Sequence, residues 1–191
     1  MAAEAQIIWR RLDLPGHDAC RLWSEGALWR IEGMAVWADP AGPAQFAYEI
    51  SVGADWITHS ARVMGRVGKR ALSLSVHRGV TGEWRLNGEA LPEMTGLQDI
   101  DLGFTPATNT MPIRRLRATR KDSADLCAVW LDSSDWHWKR LPQRYENLGE
   151  GRWRYASPSH DYQAELTADS DGFVTDYPGL WMKEDPHGRA Q

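Results

Sequence analysis

Between Gln45 and Val52 the chain alternates strictly, with Phe46, Tyr48, Ile50 and Val52 on one side and Gln45, Ala47, Glu49 and Ser51 on the other. That period of two fits a strand with one buried face and cannot place its apolar residues on one side of a helix. Comparable runs recur along the chain, from Gln6 to Leu12, Ala27 to Trp37, Trp56 to Met64, Ala71 to Arg78, Arg114 to Arg120, Leu126 to Leu131, Trp136 to Leu141, Arg152 to Ala156, Tyr162 to Ala168 and Phe173 to Tyr177. Turn clusters separate them: Pro15 to Asp18, Asp39 to Pro43, Gly53 to Asp55, Gly65 to Gly68, and Asn87-Gly88, whose two residues suit the positive φ angles of a type I′ hairpin. Asp18 to Trp23 allows a turn or two of helix before Gly26, but helical periodicity is otherwise nearly absent. Short strands at this spacing define a mainly antiparallel all-β domain, rolled or closed on itself.

The 191 residues suffice for one such domain, 1–191, with a core that stands without disulfides or metal. A loose echo between DLGFTP at Asp101 and DGFVTDYP at Asp171 suggests two similar halves, about 1–117 and 118–182, followed by a charged tail, 183–191, expected to fray. Lys and Arg number 22 against 26 Asp and Glu, so nucleic acid is not an expected partner. Eleven Trp imply wide aromatic inner surfaces. Cys20 and Cys127 stand far apart without CxxC spacing and read as small apolar residues of a reducing compartment, a single disulfide staying open. The start MAAEAQIIWRRLDLPG lacks a signal-peptide pattern and no window reaches transmembrane length, so the expected location is cytoplasmic. Oligomeric state has no sequence signal.

The alternation breaks between Gly96 and Arg117. Ile100, Leu102 and Phe104 fall on one side of a strand and Asp99 and Asp101 on the other, after which Thr105 to Met111 is small and polar between Pro106 and Pro112. Thr105 suits an N-cap with Pro106 at the first helical position, giving a short helix around 106–111 that Pro112 ends or kinks.

Asp99 and Asp101, two apart on a strand, have the separation of a paired-carboxylate site; the alternative is an exposed acidic face, or neutralisation by Arg114 or Arg115. Thr105, Thr108 and Asn109 offer hydroxyl and amide groups to a sugar or phosphate, and equally serve to cap a tight corner. Trp136, Trp138, Tyr145, Trp153 and Tyr155 either line a ligand platform or fill the core. The six His show no ligand spacing, and Asp169 to Gly172 begins like a calcium loop but lacks its remaining ligands, so neither metal nor cofactor is assigned. GxSxG, GxxxxGK and GxGxxG are missing, which leaves the common enzyme readings without an anchor.

DLGFTPATNTMPIRRL from Asp101, LPQRY from Leu141, Trp153 with Tyr155, and DGFVTDYPGLW from Asp171 together resemble the bacterial glycolipid-binding family over Trp9 to Trp181. The resemblance implies a spiral β-roll, a many-stranded antiparallel sheet wrapped around a single short helix, and a lipid or glycolipid ligand. On that reading an aromatic-lined roll holds an apolar tail, and Asp99, Asp101, Thr105, Thr108, Asn109, Arg114 and Arg115 form a polar corner for the head group. The alternatives are a hydrolase acting on a sugar-containing or phosphorylated small molecule through Asp99 and Asp101, and a structural or oligomer-forming module.

Overall fold

The computed structural model describes residues 4–185. Eight strands come first: β1 (Glu4–Arg11), β2 (Gly16–Glu25), β3 (Leu28–Asp39), β4 (Gly42–Val52), β5 (Thr58–Val67), β6 (Arg70–Arg78), β7 (Trp84–Leu86) and β8 (Glu89–Leu91). Then follow β9 (Asp99–Leu102), a 3₁₀ turn (Pro106–Asn109) and one helix, α1 (Thr110–Thr119). The chain finishes with β10 (Ser123–Asp132), β11 (His137–Gly149), β12 (Arg152–Ser157), β13 (Tyr162–Ala168), β14 (Val174–Tyr177) and β15 (Trp181–Lys183).

All fifteen strands belong to one sheet, in the order β8-β7-β6-β5-β4-β3-β2-β1-β15-β14-β13-β12-β11-β10-β9. Each of the first eight is laid beside its predecessor; the chain then crosses to the opposite edge, runs β9 parallel to β10, and returns strand by strand until β15 meets β1. The two edges are not paired with each other, so the sheet is a roll and not a barrel. Residues of the inward rows, such as Trp9, Leu22, Ile31, Phe46, Ile50, Val63, Leu166 and Val174, share one core with Met111, Ile113 and Leu116 of α1. Part of this interior is solid aromatic packing, with the Trp136 ring 4.4 Å from Phe46 and Trp37 stacked at 5.7 Å on Phe46 and 5.8 Å on Phe104.

The mainly antiparallel all-β roll around one short helix is the expected architecture, but several local readings are corrected. Asp18 to Trp23 is not helical: it lies in β2, where Asp18, Cys20 and Leu22 point inward. The helix begins later and runs longer than 106–111, and Arg114 to Thr119, read as a strand, belongs to it. Pro112 neither ends nor kinks it, since it stands in the first turn, where amide groups lack intrahelical acceptors. Trp136 sits in the turn before β11 with φ 63°, so it and Trp138 do not share a strand face. Of the tail, Lys183 pairs with Trp9 and the Glu184 amide donates to the Ile8 carbonyl at 2.9 Å; residues 186–191 lie outside the described residues. Asn87 and Gly88 have φ 50° and 91°, as the type I′ hairpin between β7 and β8 requires.

Candidate functional site

β9 is the edge strand, yet Asp99, Ile100 and Leu102 are all buried, so its polar side is not a solvent face. A carboxylate there needs a partner. Arg115, one and a half turns into α1, supplies it to Asp99 with two charge-assisted bonds, Nη1 to Oδ1 at 2.7 Å and Nη2 to Oδ2 at 2.6 Å, and also donates to the Trp56 carbonyl at 3.2 Å. The pair fixes the helix to the strand. Asp101 has no such cation. Its Oδ2 accepts from Gln143 Nε2 at 2.7 Å, and the same amide nitrogen lies 3.1 Å from the Tyr155 hydroxyl. Burial raises the Asp101 carboxyl to about 6, the Gln143 bond lowering it and the nearby Asp99 charge adding to the rise.

Thr105 does the capping work its sequence position suggests, its Oγ1 accepting from the Ala107 amide at 3.0 Å. The same hydroxyl donates to Asp18 Oδ2, to which the Tyr48 hydroxyl also donates at 2.8 Å. Gly33 makes this cluster sterically possible: a Cβ there would lie 2.3 Å from the Tyr48 hydroxyl oxygen. Burial raises Asp18 to about 6, the Thr105 and Tyr48 bonds pulling the other way. Asn109 Nδ2 donates to the Tyr145 hydroxyl at 2.7 Å, while the Thr108 hydroxyl is buried without a partner among the described residues.

These elements leave a cleft of about 270 Å³ between the start of the helix and strands β9 to β15. Its lining is mixed: polar groups of Asp101, Thr105, Asn109, Ser157 and the tyrosines 155, 162 and 177 alternate with the apolar Trp130, Leu141, Leu180 and Trp181, Trp130 being the cross-strand neighbour of Asp101 and Trp181 that of Tyr177. The tyrosines form a chain of ring contacts, 6.0 Å from Tyr155 to Tyr177 and 6.3 Å from Tyr177 to Tyr162. His160 closes one end, its Nδ1 3.2 Å from Ser157 Oγ and its ring edge-on to Trp130 at 5.1 Å. No Lys or Arg lines the cleft among the described residues. Such a surface offers neutral donors and acceptors, one carboxyl and flat rings. No group of three or more His, Cys, Asp or Glu is placed to hold a metal among the described residues.

Of the twelve residues singled out from sequence, Asp101, Thr105, Asn109 and Tyr155 meet in the cleft. Asp99 and Arg115 neutralise each other, and Tyr145 stands behind the cleft, bonded to Asn109 and edge-on to Tyr155 at 5.1 Å. Arg114 stacks its guanidinium 4.2 Å from the Trp56 ring centre and 4.7 Å from that of Trp29. Trp136 belongs to the Phe46 stack, Trp153 is buried with Arg117 5.9 Å from its ring, and Trp138 is half-buried. Sequence reasoning overlooked Asp18, Tyr48, Trp130, Gln143, Ser157, His160, Tyr162, Tyr177 and Trp181. The signal for Asp18 was its register, an acid in the inward row of β2.

A one-sheet β-roll with a small amphipathic cleft beside helix α1 is thus the class of protein that fold and site define. The chain belongs to the family described as "Putative glycolipid-binding", whose model matches residues 6–183. It is similar in structure to a DUF1089 family protein from Pseudomonas aeruginosa, solved by crystallography, with a TM-score of 0.73 and 29% identity over 83% of this chain and 93% of that one. No functionally curated protein matches the sequence. Among the described residues no helix is long and apolar enough to cross a membrane.

Proposed function

We propose that the protein binds a glycolipid and that the cleft beside α1 receives the sugar of its head group. The observation that carries this reading is the mixed lining: hydroxyls, an amide and the Asp101 carboxyl stand beside Trp130 and Trp181 around a space of about 270 Å³. Sugar rings present hydroxyls around their rim and C–H groups on their faces, and such a mixed lining complements both. The volume lies at the low end for ligand sites, so one ring-sized group fits and an acyl tail must extend outside it. The aromatic interior at Trp37, Phe46, Phe104 and Trp136 is ring-to-ring packed, which favours a tail that runs outside the core. Asp99, neutralised by Arg115, is unsuited to partner Asp101 as a second catalytic carboxylate.

Calorimetry with alkyl glycosides tests the assignment. Binding is expected to weaken about tenfold or more in Asp101→Asn, whose carboxamide exchanges an acceptor for a donor beside Gln143. Undiminished affinity in that variant, or no binding to any glycoside, overturns it.

A further inference from the structure

The outer face of the first half of the sheet carries a feature independent of the cleft. Register places Ile8 opposite Ala19, Ala19 opposite Met34, Met34 opposite Ala47 and Ala47 opposite Met64, an apolar row straight across β1 to β5. Val36 stands in the adjoining row. Ile8 is 39% exposed, Met34 53%, Val36 41% and Met64 53%, four of the six large exposed hydrophobics among the described residues. Inward positions of the same strands are filled by the core, so these side chains lie outside it. Ile8, Ala19, Met34 and Ala47 also line an open groove of about 690 Å³ together with Arg21, Glu32, Lys183 and Glu184.

Most of the charge around the row is paired. The rows on either side, from β1 to β5, hold Arg21, Glu32, Glu49 and Arg62, and Arg10, His17 and Arg66. The carboxylates are occupied, Glu32 by Arg21 at 2.7 Å, Glu49 by Arg30 at 3.2 Å, and Glu184 in the groove by Arg10 at 3.5 Å, with His17 3.2 Å away. Arg62 and Arg66, which bracket Met64, have no ion-pair partner among the described residues. An apolar row flanked by two unpaired arginines thus stands on a chain of net charge −4.

We propose that this face docks on anionic lipid bilayers, Met34, Met64 and Ile8 entering the interface while Arg62 and Arg66 meet lipid phosphates. β2 to β5 are interior strands with both edges paired, so a peptide has no free backbone ladder to join there. A second copy is disfavoured by charge: stacking the face on itself about a two-fold axis across the strands sets Arg66 against Arg62, and about an axis along them sets Arg66 against Arg10. A bilayer answers both the apolar row and the uncommitted arginines.

Cosedimentation with phosphatidylglycerol vesicles, and with phosphatidylcholine vesicles as the neutral control, tests the proposal. The protein is expected to bind the anionic vesicles, about fivefold more weakly for each of Arg62→Gln and Arg66→Gln, and at least about tenfold more weakly in Met34→Glu/Met64→Glu. Val80→Glu, at a fully exposed position in a separate turn, is expected to bind as the parent does. The substituted positions face solvent, and equal melting temperatures confirm that each variant is folded. Binding unchanged in the Met double variant, equal binding to both vesicles, or none, overturns the proposal. So does a dimer in sedimentation velocity that Met34→Glu dissolves, which assigns the face to a second copy. Glycoside binding measured on the same variants separates this inference from the cleft, since it is expected to stay unchanged.

Discussion

Asp18 and Asp101 occupy inward positions that another sequence would fill with valine or leucine, and each is raised from the ordinary 3.8 to about 6 by burial. A carboxyl whose folded pKa exceeds its unfolded one binds its proton more tightly in the native state, so its stabilising effect is complete below pH 3.8 and is lost as pH rises through 6. A shift of this size corresponds to about 3 kcal/mol for each group. Stability from these two sites should therefore fall between about pH 4 and pH 6, opposite in sign to a salt-bridged aspartate. Urea unfolding of Asp18→Asn at pH 4.5 and pH 7 is expected to lose about half of the fall seen in the parent; an unaltered fall would exclude Asp18 as its source. This residue also marks a limit of sequence reading. Asp18 interrupts an otherwise regular inward row with Cys20 and Leu22, and the interruption made a strand resemble a helix. Its partners, Tyr48 and Thr105, lie 30 and 87 residues away, and only the rolled sheet brings the three together.

At the scale of elements, strands were legible wherever one face met solvent and the other the core, as in β4, and illegible where that division fails. β9 is buried on both sides, so Asp99 looked like a surface acid and is in fact the anchor of α1. α1 was misread because Ile113 and Leu116 are the only apolar residues past Pro112 in its sequence apart from Ala118, too few, among its three arginines, to show a helical period. β15, three residues long, is too short for any periodicity. The helix is held at its far side by the turn after β13, where Arg117 donates to the Asp169 carbonyl at 2.6 Å and Arg114 to that of Asp171 at 3.1 Å. Gly172 in that turn has φ 85° and a Cβ there would meet Arg114 Cγ at 2.7 Å, whereas Gly88, with φ 91°, has open space around it. Gly88→Ala should thus cost about 1 kcal/mol of backbone strain alone, and Gly172→Ala more than that, because the arginine stem must also shift. Equal denaturation midpoints for the two variants would show that the helix does not press on the turn.

Taken whole, the molecule is a single sheet whose edge strands, β8 and β9, are neighbours in sequence, while β1 and β15 meet in its interior. Every other adjacent pair of strands is consecutive along the chain, so the β1 to β15 contact alone must close a loop of nearly the full chain length. The strand order is therefore a circle, and the β1 to β15 junction is the one pairing in it not made between consecutive strands. A circular permutant opened between Leu91 and Pro92, with residues 186–191 and 1–3 serving as the link, would contain the same pairings with every partner next in line. Since Glu184 already bonds to Ile8, the link has little distance to span. Closing short loops is entropically cheaper than closing long ones, so the permutant is expected to refold several-fold faster by stopped-flow tryptophan fluorescence. An unchanged refolding rate would place the rate-limiting step away from the β1 to β15 junction, in the docking of α1 or the rolling of the sheet around it.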